Sequence, residues 1–175
     1  RKVRAGRKHV ELSIDGGVIR VQTVVIATST ATPEFTQLRR HFKRRSVYLA
    51  ITEPVPAAIR KQIAPKDLSV RDTAPSPHRV SWTRDDRLLV CGGDQDEVPA
   101  RAREASLVQR TGELMYELLK KYPAISGLMP EYGWDVTYGD TSDGLPYIGA
   151  HRNFPRHLFA LGGGRDSMTG AFLAA

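Results

Sequence analysis

The sequence predicts a mixed α/β chain, with the outer parts in one α/β domain and the middle as an antiparallel α+β insert. Three observations carry this. The run Thr23-Val24-Val25-Ile26-Ala27-Thr28 is rich in β-branched residues without alternation, the pattern of a strand covered on both faces in a parallel sheet. The middle of the chain strings short strands around one long amphipathic helix. Near the end, Leu158-Phe159-Ala160-Leu161 runs into Gly162-Gly163-Gly164 and a further helix. The expected division is 1–45, 46–138 and 139–175, with the first and last stretches in one domain.

Taken in order, residues 10–14 alternate apolar and polar, Asp15-Gly16-Gly17 turns, and 18–21 return as the second strand of a hairpin. Pro33 suits a helix start, with Phe35, Leu38 and Phe42 at about helical spacing. Residues 47–52 read as a strand closed by Glu53-Pro54-Val55-Pro56, and a short helix fits 57–63. Three strands follow at 68–71, 79–83 and 87–91, with Asp85-Asp86 turning between the last two and Gly92-Gly93 ending them. The helix at 100–122 places Leu107, Thr111, Leu114, Met115, Leu118 and Tyr122 on one face, and Pro123 stops it. Residues 132–138 read as a strand, and a second helix opens near Asp166.

Composition narrows the class. With 175 residues, 41% hydrophobic and 26% charged, the chain has the balance of a globular protein and the length to bury a core. No stretch nears the ~18 apolar residues of a membrane span, and no N-terminal apolar segment reads as a signal peptide. The single Cys91 excludes a disulfide scaffold and a cysteine-rich zinc site, fits a reducing compartment, and makes a cytoplasmic location the expectation. The chain opens at Arg1 and closes at 172–175 without a helix stop signal, so it is expected to be an excerpt of a longer protein.

Among candidate sites, residues 162–170 are the most informative. Glycines between a strand and a helix let the backbone approach a ligand, and the helix start offers free N–H groups and partial positive charge to a phosphate or another electron-rich group. On spacing alone a flexible turn capped by Asp166 or Ser167 reads equally well. The Gly-x-Gly-x-x-Gly fingerprint of a dinucleotide site is absent. The basic cluster 39–45 reads as a solvated helix end before it reads as a nucleic-acid patch. His9, His41, His78, His151 and His157 lack metal-ligand spacing and read as surface residues, so no metal is expected. Ser29 and Ser167 lack a Gly-x-Ser-x-Gly setting, and Cys91 reads as a small buried hydrophobe.

Three stretches then occur in a telling order: Val24-Val25-Ile26-Ala27-Thr28-Ser29-Thr30, then Thr141-Ser142-Asp143-Gly144-Leu145-Pro146-Tyr147-Ile148-Gly149, then 161–169. Together they resemble the FAD-dependent D-amino-acid, glycine and sarcosine oxidase family. The first is similar to that family's strand ending in an Ala-Thr-Gly or Ala-Gly turn, the second to its T-x-D-G-x-P-x-I-G segment. The third is similar to the strand, Gly-rich turn and helix near its C-terminus. Residues 48–56 are similar to the opening strand of its substrate domain, and the order agrees over nearly the whole chain.

The resemblance implies that 1–45 and 139–175 belong to an FAD-binding-like domain and that 46–138 form a substrate domain of mixed or antiparallel sheet flanked by helices. It implies Ala27, Thr28 and Ser29 near the flavin nucleotide, and Asp143 and Gly144 on the isoalloxazine side. Gly162, Gly163, Gly164, Ser167, Met168 and Thr169 would surround the pyrimidine edge, where a helix start stabilises negative charge. The substrate carboxylate would meet Tyr48, Arg71, Arg79 or Arg165, and Arg suits a planar two-point grip. The implied reaction removes a hydride from the α-carbon of an amino acid or secondary amine, giving an imine that water converts to an oxo acid. Oxygen or another carrier reoxidises the flavin, and no catalytic acid or base is implied. The implied partner is a small amine or amino acid, with no membrane and no nucleic acid, and the oligomeric state is not legible.

Two departures stand out. Gly164-Arg165-Asp166-Ser167 replaces the family's Gly-Gly-His/Asn-Gly, and the upstream Gly-x-Gly-x-x-Gly is missing. This piece alone is therefore expected to bind FAD weakly and to be inactive outside its parent, with apolar residues at 24–26 losing part of their cover. The alternative reading is a non-enzymatic α+β interaction domain whose basic face, in a chain of net charge +7, binds nucleic acid or an acidic partner.

Overall fold

A computed structural model describes residues 2–6, 8–63, 65–165 and 167–175. The elements in chain order begin with three strands, Lys2–Ala5 (β1), Val10–Ile14 (β2) and Gly17–Val21 (β3), followed by Val24–Ser29 (β4). A 3-10 turn at Pro33–Phe35 runs into Thr36–Arg39 (α1), and Phe42–Thr52 (β5) follows. Next come Ala57–Arg60 (α2), Ser69–Arg71 (β6), Arg79–Trp82 (β7) and Leu88–Asp96 (β8). A 3-10 turn leads into the long helix Arg103–Lys121 (α3). The chain then runs through Pro130–Thr141 (β9), Tyr147–His151 (β10), Phe154–Leu161 (β11) and Ser167–Ala174 (α4). Two compact units result, one from Arg1–Arg44 with Tyr138–Ala175, the other from Arg45–Thr137. The architecture is the expected α/β chain with an antiparallel α+β middle.

The contiguous unit is one antiparallel sheet, ordered β6-β7-β8-β5-β9, with α3 on one face. Cross-strand register shows why that face is buried. Val80 opposes Val90, which opposes Ala50, and Tyr48 opposes Gly92, so one parity of each strand meets the helix. Leu114 and Leu118 of α3 insert among these residues and are fully buried, with Leu107, Met115 and Tyr122 flanking them. The β6–β7 hairpin is tied to the end of the helix by Asp72, whose carboxylate accepts from Lys121 Nζ (2.6 Å), His78 Nδ1 (3.0 Å) and His78 N (2.8 Å). Burial works to raise this carboxyl, but the Lys121 ammonium and the donors of His78 and Ala74 outweigh it and hold it well below the usual carboxylate range.

The discontinuous unit holds two three-stranded sheets. One is the meander β1-β2-β3; in the other, β11 pairs in parallel with β4 and antiparallel with β10. Phe35, Leu38, Phe159 and Leu161 form its core, with Phe35 edge-on to both Phe154 and Phe159 at 5.1 Å.

Several expectations change. β4 is an edge strand here, and Val25 is 65% exposed rather than covered. The helix after Pro33 stops at Arg39, and Phe42 opens β5 instead of closing a helical face. β8 runs through Gly92-Gly93 to Asp96, and a Cβ at Gly92 would collide with the His78 ring. His157 is buried, its Nδ1 donating to the Pro155 carbonyl (2.9 Å) and its ring stacked on Phe159. Cys91 is half-buried and faces away from the core. The strands β1 and β10 carry short, weakly patterned stretches and were not expected. Asp166, a candidate helix cap, lies outside the described residues. No helix among the described residues is long and apolar enough to cross a membrane.

Truncating Leu118 to Ala is expected to lower unfolding free energy by about 2–5 kcal/mol in denaturant titration. Asp72 predicts an acid limb. Its folded value lies below its unfolded one, so its contribution is complete above the ordinary carboxylate range and is lost progressively as pH falls from that range toward the depressed folded value. Asp72→Asn should be less stable near neutrality and show a shallower loss of stability on acidification; an unchanged acid slope would count against the tether.

Candidate functional site

In the discontinuous unit the site is built around Ser29, at the end of β4. Ser29 takes φ 63°, a left-handed conformation that a non-glycine residue adopts at a cost of about 1–3 kcal/mol. The turn is held by its neighbours. The Ser29 carbonyl accepts from Gly162 N (2.7 Å), and its hydroxyl accepts from Gly139 N (3.1 Å). Gly164 N in turn donates to the Gly139 carbonyl (3.1 Å). Glycine is required twice. A Cβ on Gly139 would stand 2.7 Å from the Ser29 carbonyl oxygen, and one on Gly162 (φ 67°) 2.7 Å from the Phe42 ring.

Beside this junction opens a cavity of about 270 Å³. Ala27, Ser29, Gly163, Ser167 and Met168, all read from the sequence as cofactor-binding, line it together. Pro146, Ile148, Ala160, Gly170 and Ala171 line it as well. Sequence reasoning did not select these, although Pro146 and Ile148 lie in the quoted T-x-D-G-x-P-x-I-G stretch. Gly163 is held against the start of α4, where its Cβ would lie 3.1 Å from Ser167, so a side chain would narrow the cavity mouth.

The other predicted residues fall elsewhere. Thr28, adjacent to Ala27 and Ser29 in an extended strand, points to the opposite face and lines a separate cavity. Asp143 and Gly144 form the turn between β9 and β10. Asp143 Oδ1 accepts from Leu145 N (3.1 Å), and that bond, with Thr141, keeps its carboxyl below the ordinary value. Gly144 (φ 71°) donates to the Thr141 carbonyl, and neither residue lines the 270 Å³ cavity. Gly162 and Gly164 shape the backbone, and Arg165 lies in the turn before α4; Thr169 is in its first turn.

In the contiguous unit the face of the sheet opposite α3 is open. Register places Arg71, Arg79, Cys91 and Leu49 in one row across four strands, all on that face. Ser69, Ser81, Leu89 and Ile51 make the next row. On β9, Asp135 bonds Arg103 of α3, so its neighbours Trp134 and Val136 turn to the open face, where they are 37% and 46% exposed. Tyr48 has the other parity. It is fully buried beneath α3, its hydroxyl bonded to Ser106 Oγ (3.0 Å) and Gln95 Nε2 (2.7 Å), so it does not join Arg71 and Arg79. Among the described residues no cluster of three or more His, Cys, Asp or Glu side chains is placed to hold a metal ion.

The sequence matches the family model described as FAD dependent oxidoreductase over residues 1–175. No curated protein matches it in sequence. Among solved structures it is similar to glycine oxidase from Geobacillus kaustophilus, with 17% identity, TM-score 0.67, and 98% of this chain on 45% of that one. It is similar to glycine oxidase from Bacillus cereus at 14% identity and TM-score 0.72, again 98% on 45%. L-proline dehydrogenase from P. horikoshii gives 17% identity and TM-score 0.66, with 93% on 43%. The chain thus spans less than half the length of each.

Replacing Gly162 by Ala is expected to lower stability by about 2–5 kcal/mol, combining left-handed strain with the collision against Phe42. Gly16→Ala, in an open turn with nothing within 4 Å, is the control that carries strain alone. Equal losses in denaturant melts would remove the crowding argument.

Proposed function

We propose that this chain, which belongs to the FAD-dependent oxidoreductase family, forms part of an enzyme that oxidises the carbon–nitrogen bond of an amino acid or secondary amine. The observation that supports this most directly is the 270 Å³ cavity at the ends of β4 and β11 and the first turn of α4. Its residues fit a flavin. Gly163 and Gly170 keep the walls close to the backbone, and the first N–H groups of α4 have no partner within the helix, so the cavity mouth offers donors and partial positive charge. When bound, FAD supplies the acceptor for the hydride that leaves the substrate α-carbon.

In this reading Ala27, Ser29, Gly163, Ser167 and Met168 hold the cofactor, while Gly162 and Gly164 set the turn and Asp143 with Gly144 delivers Pro146 to the wall. Arg71 and Arg79 grip the substrate carboxylate from the open sheet face. They oppose each other directly on neighbouring strands, so both guanidiniums can reach one carboxylate. The apolar Leu49, Leu89 and Trp134 of the same face exclude water from an amine's carbon skeleton. Arg165 is the corresponding candidate in the other unit, and Tyr48 acts as core.

Among the described residues, those lining the cavity carry no titratable side chain. In this reading the substrate nitrogen arrives unprotonated, with its lone pair available to assist departure of the hydride. The imine is then hydrolysed in solution to the oxo acid.

The test is anaerobic titration of the purified full-length protein with D-amino acids, glycine, sarcosine and L-proline, followed by flavin absorbance. Bleaching by an amine supports the reading; a protein that is colourless and takes up no added FAD overturns it. Where an amine turns over, kcat/KM should rise with pH as that amine loses its proton, with no earlier inflection from an enzyme base. Arg79→Gln should raise KM about 10–100-fold with little change in kcat, the signature of lost carboxylate binding.

A further inference from the structure

We infer that the open sheet face of the contiguous unit selects an amino acid with a large apolar side chain, through Leu49 and Leu89. This rests on the amine-oxidising reading above and names the substrate within it. Register divides the face along a strand boundary. The β6–β7 half is polar, with Arg71 opposite Arg79 and Ser69 opposite Ser81. The β8–β5 half is apolar, with Cys91 opposite Leu49 and Leu89 opposite Ile51. Arg79 opposes Cys91 and Ser81 opposes Leu89, so the two halves meet between β7 and β8.

The edge strand β9 extends the apolar half. A Cβ at Gly133 would collide with Thr111 of α3, and Asp135 bonds Arg103 of the same helix. The alternate residues Tyr132, Trp134 and Val136 therefore turn to the open face, where each keeps a third or more of its surface exposed.

The scale of this division is that of one small molecule. Neighbouring strands lie about 5 Å apart, so Cys91 is one strand and Leu49 two strands from Arg79. With the carboxylate at Arg71 and Arg79, a one-carbon side chain ends over Cys91. A branched or benzyl side chain crosses to Leu49 and Leu89, both half-buried, and contact removes apolar surface on both sides from water. Glycine and sarcosine present nothing to these leucines. Neither row carries a carboxylate, so a basic side chain would lose hydration there and gain no partner.

The test is steady-state oxidation by the full-length flavin-loaded protein of glycine, alanine, leucine, phenylalanine and lysine, the chiral ones as both enantiomers. For the accepted enantiomer kcat/KM should rise from alanine through leucine to phenylalanine, by about 30-fold or more in all, because each buried carbon contributes a few-fold. Lysine should not exceed alanine. Leu49→Asn and Leu89→Asn should each lower kcat/KM for phenylalanine about tenfold and leave that for alanine within about twofold. A merely structural defect would lower both amino acids alike. Val108→Asn, exposed on α3 beyond the opposite face, should leave the whole series unchanged. The series on the parent protein needs no variant, so the inference is tested even where a substitution prevents folding. Turnover of glycine, alanine or lysine equal to or better than phenylalanine overturns the inference and leaves the amine-oxidising reading standing. Equal losses for alanine and phenylalanine in both variants overturn the assignment to Leu49 and Leu89. A flavin that no amine bleaches overturns the reading itself, and this inference with it.

Discussion

Ser29 is where β4, β9 and β11 are locked together in the discontinuous unit. Its carbonyl and hydroxyl accept from Gly162 and Gly139, and both donors belong to segments that return more than a hundred residues later. Each approach is close enough that a single Cβ at either glycine would collide, with backbone at one and with an aromatic ring at the other. The strained backbone at Ser29 is thus fixed by three independent demands at once: the strand it ends, the loop it meets and the turn that opens α4. The 270 Å³ cavity is framed by this junction, since it sets where β4 stops and where the glycine turn begins.

Strand parity does the rest of the sorting. In β4 it sends Ala27 and Ser29 to one cavity and Thr28 and Thr30 to another, so that neighbours in sequence face different cavities. In the contiguous unit it sends Tyr48 into the core under α3 while Leu49, one residue on, joins Arg71 and Arg79 on the open face. A one-residue slip in either strand would exchange these sets.

What was legible in the sequence follows the same logic. The amphipathic helix, the β2–β3 hairpin and the glycine turn were readable, because their periods and turn residues are local properties. The fate of Tyr48 was not, because parity becomes a face only once the register with β8 is known. The burial of His157 depends on Phe35 and Phe159 closing over it, and Phe35 comes from a distant part of the chain. The turn role of Asp143 was concealed within a motif that resemblance had already assigned to a ligand. The cavity on the Thr28 side of β4, which Arg39, Arg40 and Arg44 also line, was visible only as a charge run, since one dimension does not separate a convex solvated end from a concavity.

The pairing of β4 with β11 joins Val24 to His157, two ends of a long stretch of chain with the other unit threaded between them. β4 therefore has no parallel partner until the chain has run through the whole of the intervening unit. The intervening unit is contiguous and its sheet antiparallel, so its strand pairings close shorter loops than the β4–β11 pairing does. The pairing that leads into the 270 Å³ cavity thus carries a larger loop-closure cost than those of the contiguous unit.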